Sequence, residues 1–442
     1  MKTIGYLALT ILLVVFWFSG VAEIGFNMDE IPWILDTQYY TFRKEKDWER
    51  FQLPEGYTRL RWSDAGQRLI DQPQMGKYLI GSILDLTNSN PWNSSNPSWL
   101  YQEFSKNPHG GERLSEIQTY LGGEMFRAIN VIRYASATVG LTSLLLFSYA
   151  ITRLSDKPSI GLLALVLATI HPLLLGNLRL ATGSSFSLLF LITSTLLMYW
   201  TLSKIHKMKT METAFASLLL GALIAAATSI KLNGAFLLFF PAFYALVIIG
   251  LRQKESLLSS YQTRERFLLF YVLMMISFFV TFLYLEPELW SNPVKGMIYL
   301  AGSRLAQQER FYAFYGKTSW IAVPLNTVRL FLSLSTSYLI QAGLIVLLLL
   351  GLYELGRMAR KKEKNVLLLS LLVYIMVANG YYARIGFHGF DRYLTPSLLV
   401  AILVASLGAK RASHFASAFQ KRKSEDIKRQ KEQKSSRIGG NN

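Results

Sequence analysis

Ten apolar runs, at roughly 4–22, 128–152, 158–176, 182–202, 213–231, 234–251, 266–285, 328–352, 364–383 and 391–409, constrain this chain more than any other feature. Each is close to the ~20 residues a helix needs to cross ~30 Å of hydrocarbon. Inside a bilayer the backbone must satisfy its own hydrogen bonds, so such runs are read as helices. Only 17% of residues are charged, against about 25% in a soluble protein. The expectation is an all-α polytopic membrane protein of about ten transmembrane helices over 1–409, with a basic, disordered tail at 410–442. The turn at Lys231-Leu232-Asn233-Gly234 leaves little room between two of the runs. Gly20-Val21-Ala22 loosely resembles a signal-peptidase site, but the first run is long enough to span and is read as retained.

Charge sets the expected topology. The net charge is +18, yet residues 23–126 hold fifteen of the 28 acids and only ten of the 46 bases. A basic chain can bind nucleic acid, but here the bases fall in short loops beside apolar runs. Arg153/Lys157, Lys204/Lys207/Lys209, Arg252/Lys254/Arg264/Arg266, Arg357/Arg360/Lys361/Lys362/Lys364 and the tail from Lys410 all fall on one side. By the positive-inside rule that side is cytoplasmic, with both termini. The loops at 23–126, 177–181, 286–327 and 384–390 are then external, the first of them large enough to carry juxtamembrane helices. With no cysteine there are no disulfides, thiolate nucleophiles or thiolate metal sites. No P-loop, Gly-rich dinucleotide fingerprint or His-x-x-x-His spacing is present.

Ionisable residues on the external side need a reason beyond anchoring, because burying one unpaired costs several kcal/mol. Asp29-Glu30 directly follows the first run, with Asp36 beyond. Asp71-Gln72-Pro73-Gln74-Met75-Gly76-Lys77 puts an acid and a base around a proline. Arg179 lies between two runs, with His171 about two turns earlier. His388-Gly389-Phe390-Asp391-Arg392-Tyr393-Leu394-Thr395-Pro396 sits at the mouth of the last run. Arg127, Arg133 and Lys231 flank other runs on the same side, where the first two can also snorkel to headgroups. Cations suit a lipid phosphate, and a carboxylate can deprotonate an incoming hydroxyl.

These residues together resemble a family: the GT-C fold glycosyltransferases of the protein O-mannosyltransferase and aminoarabinose-transferase type (glycosyltransferase family 39-like). The resemblance covers most of 1–409. It rests on Asp29-Glu30, on Asp71-Gln72-Pro73 with Gly76-Lys77, and on Phe126-Arg127 with Ile132-Arg133-Tyr134-Ala135-Ser136. It continues at Thr228-Ser229-Ile230-Lys231-Leu232-Asn233, Leu289-Trp290-Ser291-Asn292-Pro293 and Arg392-Tyr393-Leu394-Thr395-Pro396. The chain departs from the family after Arg179, where Leu180-Ala181-Thr182-Gly183-Ser184-Ser185 lacks the acid members often carry. Its first loop is also longer than is usual.

The resemblance implies a GT-C fold and an inverting transfer at the external face of the cell membrane. The donor would be a polyprenyl-phosphate sugar and the acceptor a protein, lipid or glycan hydroxyl. Asp29 would be the general base, with Asp71 and Glu30 in support. Arg392, Lys77, Arg133 and Lys231 would hold the donor phosphate, and Tyr393, Arg179 and His388 would contact substrate. No protein metal ligand and no cofactor is assigned, and a divalent metal ion is left open. Two other classes fit the same charges: a transporter or flippase for an anionic lipid or solute, and a non-catalytic GT-C-like membrane subunit. Transporters often show inverted repeats around a midplane site, and no repeat is visible here.

Overall fold

The computed structural model describes residues 2–25, 27, 29–51, 74–91, 113–116, 118–250, 260–298, 322–360, 363–383 and 394–439. Helix α1 (Lys2–Phe18) leads to a layer of short helices, α2 (Glu30–Leu35), α3 (Gln38–Lys44), α4 (Gln74–Leu86) and α5 (Gln118–Leu121). Then come α6 (Gly123–Ser155), α7 (Pro158–Ile170), α8 (Pro172–Asn177), α9 (Ser184–Lys204) and α10 (Thr210–Thr228). A 3₁₀ segment (Leu232–Phe239) opens α11 (Phe240–Gly250), followed by α12 (Tyr261–Leu285) and a 3₁₀ turn (Pro287–Leu289). The chain ends with α13 (Ala322–Leu332), α14 (Tyr338–Ala359), α15 (Glu363–Ala383) and α16 (Thr395–Gly439). No strand occurs among the described residues; one isolated bridge joins Gly25 to Arg113.

Among the described residues six helices are long and apolar enough to cross a membrane: α6, α9, α10, α12, α14 and the part of α16 up to Ile427. Four shorter apolar helices accompany them, at Ile4–Phe18, Pro158–Ile170, Gly234–Gly250 and Asn365–Ala378. The protein is therefore an all-α, integral membrane protein.

Two expected runs are broken, each for a local reason. The run at 158–176 stops at His171, because the residue before a proline is pushed out of the helical region. His171 is extended at ψ 121°, and its Nδ1 accepts the Leu173 N–H at 3.2 Å to start α8. Its Nε2 meets the Leu330 carbonyl at 2.9 Å, which ties this corner to α13. The run at 328–352 is split between α13 and α14. Ser333 Oγ donates back to Leu330, and Ser335 Oγ accepts the Ser337 N–H. Serine side chains that bond their own backbone compete with helix continuation. The apolar crossing consequently shifts to 338–359. Helix α16 runs unbroken to Gly439. Between Gly408 and Gly439 there is no glycine or proline to stop it, and Lys, Arg, Glu and Gln are good helix formers.

Without a strong hydrophobic drive between helices in lipid, close packing depends on small residues. The α14–α16 crossing shows why. A Cβ on Gly351 would lie 1.9 Å from the Val404 carbonyl oxygen, and one on Gly408 would lie 1.9 Å from the Leu347 carbonyl oxygen. Helices α10 and α12 are pinned by Ser277 Oγ, which donates to the Leu218 carbonyl at 2.6 Å. Two large apolar cores result, one built on α1, α6, α7, α14 and α16 and one on α9 to α12 with α15. A third, smaller core of Ile31, Trp33, Ile34, Leu35, Ile80, Leu84 and Ile132 lies under the short-helix layer. It closes one end of the bundle and carries the candidate site.

At the opposite end the basic loops meet. Lys157 Nζ reaches Ser413, Arg266 donates to the His206 carbonyl, and Glu354 receives Arg357 and Arg411.

Candidate functional site

Helix α2 begins at Glu30, so Glu30 turns inward while Asp29 stays half-buried at its edge. The Glu30 carboxylate is fully buried. It takes Arg133 in fork geometry, Nε at 2.8 Å and Nη2 at 2.6 Å, and also accepts the Ala181 N–H at 2.8 Å and the Asn27 N–H at 3.1 Å. Arg133 is equally buried and spends its other donors on Ile24 (2.8 Å), Val21 (3.4 Å) and Gly25 (3.5 Å) carbonyls. All five guanidinium N–H groups thus face acceptors within the protein. One pair therefore fixes the chain leaving α1, the start of α2, the side of α6 and the loop before α9. The Asn27 side chain adds the last restraint, accepting the Asp29 N–H at 2.9 Å.

Trp33 is the wedge that gathers the other segments. A Cβ on Gly76 would come within 2.4 Å of the Trp33 ring, and one on Gly183 within 2.5 Å of it. Both would also approach Ile230, so α4, the start of α9 and the turn after α10 close on one indole. This brings Lys77 and Lys231 to the Asp29 end. The Lys231 ammonium donates to Ser184 Oγ at 2.8 Å. Lys77 is fully buried, with its ammonium 4.4 Å from the centre of the Tyr39 ring.

Arg179 has a different setting. Its Nη1 donates to the Trp17 and Ser19 carbonyls at 3.0 and 2.9 Å, and its Nε to Leu175 at 2.7 Å. A cation on the last carbonyls of a helix is favoured by the helix dipole, so Arg179 closes the end of α1. Arg127 lies at the rim and reaches the Thr87 carbonyl at 3.4 Å. Asp71, His388, Arg392 and Tyr393 lie outside the described residues.

Sequence reasoning missed two acids. Glu286 and Glu288 flank Pro287 just past α12 and are 2% and 6% exposed. The Gln74 N–H points at both oxygens of Glu286 at 3.3 Å, and Gln74 Nε2 reaches Glu288 Oε1 at 3.4 Å. Burial, then the neighbouring Glu288 charge, holds Glu286 well above the usual carboxylate range. Burial raises Glu288 too, and Lys77 pulls it back in part. A signal was available: acids at the C-terminal end of a long apolar helix oppose its dipole and need compensation. Among the described residues, no group of three or more His, Asp or Glu side chains is placed to hold a metal ion.

A small, half-open apolar cleft is lined by Leu191, Phe236, Leu237, Tyr374, Ile375, Ala378 and Pro396. Phe236 and Leu237 follow Lys231 on the same 3₁₀ segment, and the Tyr374 hydroxyl fixes that segment by donating to the Phe236 carbonyl. No protein-family model and no curated protein matches this sequence.

Proposed function

We propose that the chain is a membrane glycosyltransferase that moves a sugar from a polyprenyl-phosphate donor to an acceptor hydroxyl, with inversion, at the external face of the cell membrane. In this reading the six long and four shorter apolar helices make about ten crossings of a GT-C fold, with both termini cytoplasmic. The observation that carries it is convergence. Trp33, four residues after Asp29, packs on Gly76 next to Lys77, on Gly183 next to Ser184, and beside Ile230 next to Lys231, so three distant stretches gather at one end of the bundle. An acid and cations on stretches gathered at one end suit a proton acceptor and an anionic leaving group, and an apolar cleft on the same 3₁₀ segment as Lys231 suits a lipid tail.

The chemistry follows from those parts. The acceptor oxygen attacks the anomeric carbon as its proton passes to the Asp29 carboxylate. The bond from that carbon to the phosphate oxygen breaks, and polyprenyl phosphate departs with the electron pair. Lys77 and Lys231, joined by Arg392 from the family resemblance, stabilise the charge on the departing phosphate. The cleft at Phe236 and Tyr374 takes the first isoprene units. Glu30 and Arg133 act on Asp29 by position: their mutual pairing holds the start of α2 rigid, and the phosphate falls to the other cations.

The test is transfer by the purified chain in lipid nanodiscs, supplied with polyprenyl-phosphate-linked labelled hexoses and pentoses. Loss of a positioned base is worth about 10²–10⁴-fold, so Asp29→Asn should lower sugar release from the donor by that range while insertion and melting stay normal. A folded Asp29→Asn protein that releases sugar at the wild-type rate removes the base assignment.

A further inference from the structure

Helix α12, long and apolar enough to cross a membrane, carries an exposed ridge of Leu268, Val272, Ile276, Val280 and Tyr284, each four residues on from the last. On a membrane-spanning helix such a ridge faces lipid. The helix ends at Leu285, and side chains take three of its last carbonyls. Trp290 Nε1 donates to Leu283 at 2.6 Å, and Arg43 donates to Tyr284 and Leu285 at 3.4 and 3.5 Å. Carbonyls at a helix end otherwise lack partners within the helix. These bonds set depth: the Trp290 indole lies beside the last turn of α12, and Arg43 ties α3 to the same turn.

Two more segments add apolar side chains to this corner. The Trp48 ring meets the Trp290 ring at 4.8 Å and the ring of buried Phe51 at 6.0 Å. Both tryptophans remain exposed, Trp48 by 38% and Trp290 by 45%. After Trp290, Asn292 caps a helical stretch over 293–298: its Oδ1 accepts the Lys295 N–H at 3.0 Å, and Pro293 takes the first helical position. A Cβ on Gly296 would lie 2.5 Å from the Leu289 side chain, so the stretch is rolled with Gly296 against buried Leu289. Successive helix residues turn by about 100°, which puts Val294 and Ile298, two before and two after Gly296, on the far side. They are 72% and 65% exposed.

We propose that Trp48, Trp290, Val294 and Ile298 form one patch seated in the lipid leaflet at this end of the bundle, at the boundary between headgroups and acyl chains. The patch continues the lipid-facing ridge of α12 through Tyr284 and Trp290. Its composition fits that depth. Trp and Tyr collect at membrane boundaries, and an apolar helix face beside them enters to the same level. A sugar would need something else, because a small-molecule site pairs apolar contact with a few polar groups that fix orientation. Here the Trp290 N–H is spent on Leu283, and Val294 and Ile298 offer no polar atom. The consequence is mechanical. Trp48 follows α3, whose Tyr39 ring lies 4.4 Å from the Lys77 ammonium, so the patch holds the short-helix layer at headgroup depth.

The chain has no cysteine, so single spin labels can be placed without background. Labels go on Val294→Cys and Ile298→Cys in the full-length protein, in nanodiscs of phosphatidylcholine and phosphatidylglycerol. Relaxation of each label by oxygen, which enters lipid, is compared with relaxation by a nickel chelate, which stays in water. Val280→Cys on the α12 ridge is the lipid reference, and Ser417→Cys, exposed on α16, is the water reference. At both test positions oxygen should outweigh the nickel chelate severalfold, at a depth shallower than Val280. Relaxation dominated by nickel, as at Ser417, overturns the patch because it then faces water. Exclusion of both reagents overturns it as well, because a protein surface then covers it. The tryptophans are read separately. Lipids brominated high on the acyl chain should quench wild-type emission more than that of the Trp48→Phe/Trp290→Phe double variant, and equal quenching removes the two rings from the lipid. Val294 and Ile298 are exposed, so their labels leave the fold intact and decide the outcome even where the tryptophan variant does not fold.

Discussion

At the scale of single residues, Asp29 and Glu30 show how adjacency in sequence can conceal opposite environments. Helix α2 starts between them and buries the second against Arg133, 103 positions away. A buried, hydrogen-bonded ion pair adds little net stability, but removing one partner leaves a bare charge and costs about 3–5 kcal/mol. Glu30→Gln and Arg133→Met should each lower the melting temperature strongly, and Arg133→Met should also weaken transfer by loosening Asp29. The double variant should melt closer to wild type than either single one. Melting of all three by intrinsic fluorescence checks this, and independent, additive losses would remove the pairing as the cause. The sequence exposed both residues as unusual but not their union, because nothing local records a partner a hundred residues distant. Arg179 was equally visible as an external cation, while its engagement with the Trp17 and Ser19 carbonyls depends on how two loops fold back. Glu286 and Glu288 open the external loop 286–327, and nothing local in the sequence records that Gln74 folds over them.

At the scale of elements, apolar period and length located the long helices well, and their ends less so. The breaks at His171-Pro172 and Ser333–Ser337 come from backbone chemistry that a hydropathy window averages away. Helix contact is also only half legible. Glycine in an apolar run signals close approach, but which helix approaches is a tertiary fact. At Gly351 the obstacle is the Val404 carbonyl, a backbone atom that no rotamer change can move. Gly351→Ala should therefore force α14 and α16 apart and destabilise by about 1–3 kcal/mol, the usual cost of overpacking. Gly343 on the same helix has open space around its Cβ position and serves as the control. Thermal unfolding of the two alanine variants in detergent compares them, and an equal effect at both sites would show that the crossing is not close-packed.

At the scale of the whole molecule, the two ends of the bundle are chemically different. One end joins Glu30, Arg133, Lys77, Lys231, Glu286 and Glu288. The other joins Lys157, Arg266, Arg357 and Arg411, with α16 exposed from Ser413 to Ile427. The bases on the second end are what the positive-inside rule reads, so the first end should face outward. The sequence has no cysteine, which makes single-cysteine variants free of background labelling. Thr87 is exposed at the tip of α4, at the Asp29 end, and Ser417 is exposed on α16 at the other. In intact cells a membrane-impermeant maleimide should label Thr87→Cys and leave Ser417→Cys unlabelled until the membrane is broken. Labelling of Ser417→Cys alone would invert the topology. It would put Asp29, Lys77 and Lys231 on the cytoplasmic side, where a donor carried on the outer leaflet could not reach them. Labelling of both would mean that one end does not occupy one side, and the shared site around Trp33 would lose its topological basis.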